Sequence, residues 1–279
     1  MAFKDILLTL TSYPDPTPAS VNEDAVAIAA AFGAHLTAVA CEVHVEVPGH
    51  FLSGATANIP GIIAGETEKS RNNAHAMLAA FDAAAEKSGV PHERNLEKCP
   101  TYAVPDLLVD YARLRDLTIV PVPESYDQWY AEQVIFGSGR PTLVLPESPR
   151  PRPFELGTIA VAWDFGRAAA RAVSDALPLL EKAKKVRIVT VINEKRLDSK
   201  HSVEELAKNL SRHGIDVVLD KVDAEGRGIG EVLEAYTASH RIDVLVMGAY
   251  GHSRWREFVL GGATKSLLSK PPLPIMFSH

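Results

Sequence analysis

Short apolar runs alternate with longer helix-patterned segments along this chain, and the alternation is gone through twice. Apolar runs at residues 5–11, 35–42, 93–99, 117–122 and 142–145 read as strands. Residues 20–32, 66–88, 104–114 and 126–136, lying between them, read as helices. After ESPRPRPFELG, residues 147–157, the same order begins again. Its strands fall at residues 158–163, 186–192, 215–222, 242–247 and 273–277, with helices at 167–184, 203–213, 228–239 and after Gly262. Strands joined through helices run parallel and are covered on both faces, because a parallel return needs a crossover of a dozen residues or so. The expected fold class is therefore α/β, with two tandem doubly wound parallel-sheet domains at residues 1–148 and 156–279. The three prolines between them suit a semi-rigid linker.

Local signals refine the element ends. Ser20 with Glu23 three residues on has the form of a capping box, and Gly33 and Gly89 supply helix stops. Residues 44–65, rich in Gly and Pro yet carrying Phe51, Leu52, Ile62 and Ile63, read as a long loop serving as a lid or interface piece.

Charge separates the halves. Residues 1–150 hold 10 Lys and Arg against 19 Asp and Glu, a net of −9; the rest hold 19 against 16, a net of +3, which together give the chain's −6. A polyanionic ligand is better accommodated in the second half. The two cysteines, Cys41 and Cys99, show no CxxC spacing and fit a reducing compartment. His35, His44 and His50 lack compact ligand spacing, so no metal site is expected. Asp5 interrupts the only stretch that could serve as a signal core, and no uncharged run is long enough to cross a bilayer. The expectation is a cytoplasmic protein without membrane or nucleic-acid partners.

The chemistry concentrates in residues 242–279, IDVLVMGAYGHSRWREFVLGGATKSLLSKPPLPIMFSH. An apolar run reaches Gly248, Gly251 follows, and after nine residues Gly261, Gly262, Ala263 and Thr264 open a helical segment. A strand ending in glycine lets the backbone approach a ligand, and a glycine-opened helix start presents free N–H groups to an anion. Upstream, TIAVAWDFG places Asp164 at the end of a strand, where open α/β sheets hold their ligands.

The pattern G-x2-G-x9-G followed by a helix and a last strand, with Asp164 upstream, resembles the nucleotide-binding segment of the universal stress protein family. The likeness covers the second half well and the first half in outline. The chain departs from the family in having Gly262 where serine or threonine often follows the third glycine. The resemblance implies Rossmann-like domains of the adenine nucleotide alpha hydrolase type, paired through their last strands, so that this chain forms an internal pseudo-dimer and optionally a further homodimer. It also implies an adenine nucleotide, ATP with or without magnesium, held by Asp164, Val191, Met247, Gly248, Gly251, Gly261, Gly262, Ala263 and Thr264. In that family the aspartate contacts the nucleoside, the Val191 position pairs with adenine through its backbone, and the Met247 position lines the base and ribose.

Each residue also has a plainer reading. The glycines serve as turn and packing punctuation, Asp164 and Thr264 as helix caps, and Val191 and Met247 as core. Arg254, Lys265 and His252 read as solvated surface, and no catalytic motif of the hydrolase, zinc-protease or Walker kind is present. Three functions stay open: a nucleotide-binding regulator or sensor of stress with an unidentified protein partner, a scaffold of the same fold, and a weak ATP hydrolase. In the first half Pro121 and Pro123 stand where a phosphate turn would need N–H groups, so that half reads as degenerate for nucleotide. Ser12 or Asp15 is its loose counterpart of Asp164, and Gly137, Gly139 and Pro141 read as an echo of the lost loop.

Overall fold

The computed structural model describes residues 2–44, 59–123, 129–148, 154–193, 202–249 and 262–279. The first half runs β1 (Asp5–Leu10), α1 (Ser20–Phe32), β2 (His35–His44), α2 (Ile59–Ser88), β3 (His92–Pro100), α3 (Val104–Arg113), β4 (Leu117–Val122), α4 (Trp129–Gly137) and β5 (Thr142–Pro146). The second runs β6 (Thr158–Ala162), α5 (Arg167–Lys182), β7 (Lys185–Ile192), α6 (Val203–Ser211), β8 (Val217–Asp223), α7 (Ile229–Ser239), β9 (Val244–Gly248), α8 (Gly262–Ser269) and β10 (Ile275–Ser278). All ten strands lie in one sheet in the order β3-β2-β1-β4-β5-β10-β9-β6-β7-β8. Read outward from the centre, the two halves have the same strand order.

Every strand pairing within a half is parallel, and β5 meets β10 antiparallel, with Ile275 opposite Val144 and Phe277 opposite Thr142. Apolar residues fill both faces of each inner strand, as a doubly covered sheet requires. One face packs under α1, α2, α5 and α6, through residues such as Ile28, Phe81, Leu179 and Leu210. The other packs under α3, α4, α7 and α8, through Leu108, Ile135, Leu233 and Leu267. The expected pairing through last strands is what the sheet shows.

Because β5 covers β10, residues 151–279 expressed alone would expose the edge of Ile275, Met276 and Phe277, all fully buried in the whole chain. An open apolar edge strand recruits another. This fragment is expected to dimerise, β10 against β10. A strictly monomeric fragment at high concentration in light scattering would remove the last strands as the pairing element.

Several local expectations are corrected. Ser20 is the first residue of α1 and not its cap; Ala19 holds the cap position without a side-chain bond. Gly33 does end α1, in the left-handed conformation at φ 59. The second helix starts at Ile59, so residues 59–65 are helical and not loop. Pro60 sits in the first turn, where its missing N–H costs nothing, and Gly61 and Gly65 are carried within the helix. The remainder of that expected loop, 45–58, lies outside the described residues.

Candidate functional site

Two equivalent hydrogen bonds fix how the halves correspond. Asp116, just before β4, accepts the Asp5 N–H at 3.1 Å, and Asp243, just before β9, accepts the Thr158 N–H at 2.7 Å. Strand register agrees: Ile6 pairs with Leu117 as Ile159 pairs with Val244, and Asp5 with His35 as Thr158 with Lys185. Each described residue of the candidate site thereby has a counterpart in the first half.

In the second half, β6 and β9 are neighbours although β7 and β8 intervene in sequence, so their carboxyl ends form the switch point of the sheet. Asp164 follows β6 there. Its Oδ1 accepts the Gly166 N–H at 2.8 Å, an Asx-type turn that reverses the chain through Phe165 (φ 63) into α5. Val191 lies near the end of β7. Trp163 N–H donates to Val189 O at 2.9 Å, and Ala224 N–H to Ile192 O at 2.9 Å on the opposite side. By the alternation of a parallel ladder, the N–H and C=O of Val191 face the β6 side, past the point where β6 has turned away. Val191 and Met247 pack on the same face of the sheet, the face that also carries Ala263.

Gly248 ends β9, and its lack of a side chain has a packing cause. A Cβ there would stand 2.4 Å from the Ala168 carbonyl carbon and 2.6 Å from the Ala169 nitrogen, so α5 lies directly on this glycine. Gly262, first residue of α8, is the opposite case: a Cβ there meets nothing within 4 Å among the described residues. Thr264 is buried in the first turn of α8, and Gly230 lets α7 come close to α8 at Ser266.

The structure thus brings Asp164, Val191, Met247 and Gly248 together at the carboxyl ends of three adjacent strands, β7, β6 and β9. Gly262, Ala263 and Thr264 form the start of α8. Gly251 and Gly261, with His252 and Arg254, lie outside the described residues. Nothing in the linear pattern pointed to Trp163, whose buried indole N–H has no partner among the described residues, beside Asp164 in sequence. Its signal was only an aromatic residue at a strand end.

The first half differs at every corresponding position. Asp164 corresponds to Thr11, one residue before the expected Ser12 and four before Asp15. Val191 corresponds to Cys41, Met247 to Val120 and Gly248 to Pro121. Thr142 of β5 corresponds to Ile275 of β10, which matches Trp129 with Gly262, Tyr130 with Ala263 and Ala131 with Thr264. Gly137 and Gly139 are therefore not the echo of the glycine loop; Gly137 ends α4 and Gly139 takes a turn at φ 67.

The crevice of the first half is also filled. Ser12 Oγ donates to the Cys41 carbonyl at 2.6 Å and lies 2.8 Å from Ser70 Oγ, which accepts the Val43 N–H at 2.9 Å. Asn73 of α2 donates to the Ser12 carbonyl at 2.9 Å. The main-chain groups at the end of β2 are thus bonded by hydroxyls from a loop and from α2. Close by, burial pushes the Glu147 carboxyl up to about 7, with Asp15 adding to the rise. Asp15, and Glu147 once it ionises, oppose a phosphate chain here.

Among the described residues, no cluster of three or more His, Cys, Asp or Glu is arranged to hold a metal. Among the same residues no helix is long and apolar enough to cross a membrane.

The universal stress protein family model matches residues 155–279. A curated universal stress protein from Synechocystis is 41% identical over 46 residues, a stretch spanning 16% of this chain and 16% of that protein. Among solved structures, a universal stress protein from Archaeoglobus fulgidus superposes with a TM-score of 0.69 at 15% identity, covering 98% of this chain and 97% of its own. A putative universal stress protein from Pseudomonas aeruginosa gives 0.58 at 12% identity, over 99% of this chain and 93% of its own. At those identities the structures speak for the fold alone, and they do so over the full length. Residues 155–279 thus match the universal stress protein family model, and the two halves of the chain together take up the fold of these two solved structures.

Proposed function

We propose that the chain binds one adenine nucleotide, ATP, at the carboxyl ends of β7, β6 and β9, and acts as a regulator or sensor in a stress response. The halves are read as two domains, 1–148 and 156–279, of which the second binds. The observation that carries this reading is the contrast between equivalent positions. The main chain at Cys41 is bonded by Ser12, while that at Val191 faces the crevice where the sheet opens. Pro121 stands at the position of Gly248, and the first turn of α8 begins with a glycine at which a Cβ meets no described residue within 4 Å.

On this reading the Val191 main chain pairs with the base edge, Asp164 takes a ribose or base hydrogen bond, and Met247 lines the apolar side. The start of α8 receives the phosphates, where unpaired N–H groups and the helix dipole favour an anion. Asp164 already accepts the Gly166 N–H and Thr264 is buried in the first turn of α8, so on this reading the work of the site is recognition. Any magnesium would be held by the nucleotide's phosphates.

Isothermal titration of the full chain with ATP is expected to give one site per chain. Two equivalent sites would refute the assignment to the second half. No saturable binding would leave the scaffold reading in its place, and sustained phosphate release would favour a hydrolase.

A further inference from the structure

The carbonyl of Ala249, at the very end of β9 beside Gly248, is held in an unusual way. Its N–H donates to the Ser278 carbonyl at 2.8 Å, as the strand pairing continues. Its own carbonyl accepts a hydrogen bond from His279 Nδ1–H at 3.0 Å, the donor being fixed because a carbonyl can only accept. The same imidazole meets the ring of Phe136 edge-on, 4.9 Å between centroids at 75°. Phe136 lies on α4, in the first half. At the equivalent place in the first half, the Val122 carbonyl accepts a main-chain N–H, that of Glu147, at 3.1 Å. In the second half a side chain makes the corresponding bond, and that side chain rests on the other half.

We propose that His279 is a positioning residue through which the first half holds the end of β9, and with it the nucleotide site. This rests on the reading of that site given above. It assigns the first half a part in binding although its own crevice is filled. Phe136 orients the imidazole by its edge-to-face contact; the imidazole fixes the Ala249 carbonyl; and Ala249 fixes the direction in which the chain leaves Gly248. Neither residue touches ligand.

The test uses the full chain and three variants: His279→Ala, Phe136→Leu and His279→Asn. The Asn amide nitrogen lies as many bonds from Cα as Nδ1 and can donate to the same carbonyl. Two quantities are read: ATP affinity by titration, and ligand-free hydrogen exchange at the Ala249 amide. His279→Ala is expected to weaken ATP roughly two- to tenfold, the size of one neutral hydrogen bond, and to speed the Ala249 exchange by a similar factor. Phe136→Leu should move both in the same direction from the other half, and His279→Asn should restore both. Ala249 exchange unchanged in His279→Ala and Phe136→Leu overturns the proposal, as does failure of His279→Asn to rescue. Should the parent chain bind no ATP, the functional reading fails on its own, and the exchange arm still decides the role of His279.

Discussion

Gly248→Val is expected to lower the melting temperature of the protein by roughly 5 °C, with or without nucleotide. The added Cβ would sit 2.4 Å from the carbonyl carbon of Ala168, 2.6 Å from the nitrogen of Ala169 and 2.7 Å from the Ala168 Cβ. Two of these are backbone atoms at the start of α5, so no rotamer change relieves them. Either α5 shifts off the sheet or β9 bends, and both disturb buried neighbours such as Val173 and Val246. Overpacking of this kind costs about 3 kcal/mol at the upper end of its usual range. At about 2.1 cal/mol/K per residue the unfolding entropy of a 279-residue chain is about 0.6 kcal/mol/K, which gives the figure above. Calorimetry or circular dichroism on the ligand-free protein measures it. A variant melting within a degree of the parent would mean that α5 gives way easily and that this glycine is retained for another reason.

Gly262→Val is expected to do the reverse, weakening ATP binding by about a hundredfold or more while leaving the ligand-free melting temperature nearly unchanged. A Cβ at Gly262 meets no atom of the described residues within 4 Å, so none of them resists a side chain starting there. If phosphates lie against the start of α8, that open space is where they sit, and the valine side chain excludes them. What is lost is a pair of N–H to phosphate hydrogen bonds, charge-assisted and worth roughly 1.5–3 kcal/mol each. At 1.4 kcal/mol per factor of ten, two of them amount to about a hundredfold or more. Titration and melting on the same variant separate binding from folding. Parent-like affinity in Gly262→Val would move the phosphates away from α8. The two variants together distinguish the two uses of glycine in this segment: at Gly248 the neighbour is the protein itself, and at Gly262 it is open space.

Much of the architecture was legible in the chain. Apolar runs long enough to cross a sheet, buried on both faces, alternating with helices, permit little except parallel crossovers, and the strands lie where those runs predict. Asp164 and Gly248 were legible as strand-end residues, because a polar or flexible residue directly after a buried run marks where the sheet stops. Pro121 was legible as a departure, and the register makes it the counterpart of Gly248. Local cues failed where tertiary packing overrode them. Pro60, Gly61 and Gly65 look like loop residues, yet α2 runs through them, since Pro60 falls in the first turn and the helix is held by packing further along, at Ala74, Phe81 and Ala85. Ser20 looked like a cap, but α1 begins nine residues after Thr11 where α5 begins three after Asp164, and the longer connection carries Ser20 into the helix itself.

What the sequence determined by itself is the periodic content: the strand and helix order, its repetition, the unequal charge of the two halves, and the glycines and aspartate of one half. These depend on near neighbours and on the alternation of apolar residues, which a linear reading detects. What only the tertiary structure decided is which atoms from distant positions share a place. Ser12, Cys41 and Ser70 close one crevice across 58 positions of chain, and His279 reaches Phe136 and Ala249 across the join of the halves. Such contacts have no periodic trace, because a serine, a phenylalanine or a histidine is an ordinary residue until the sheet has formed and register has set its neighbours.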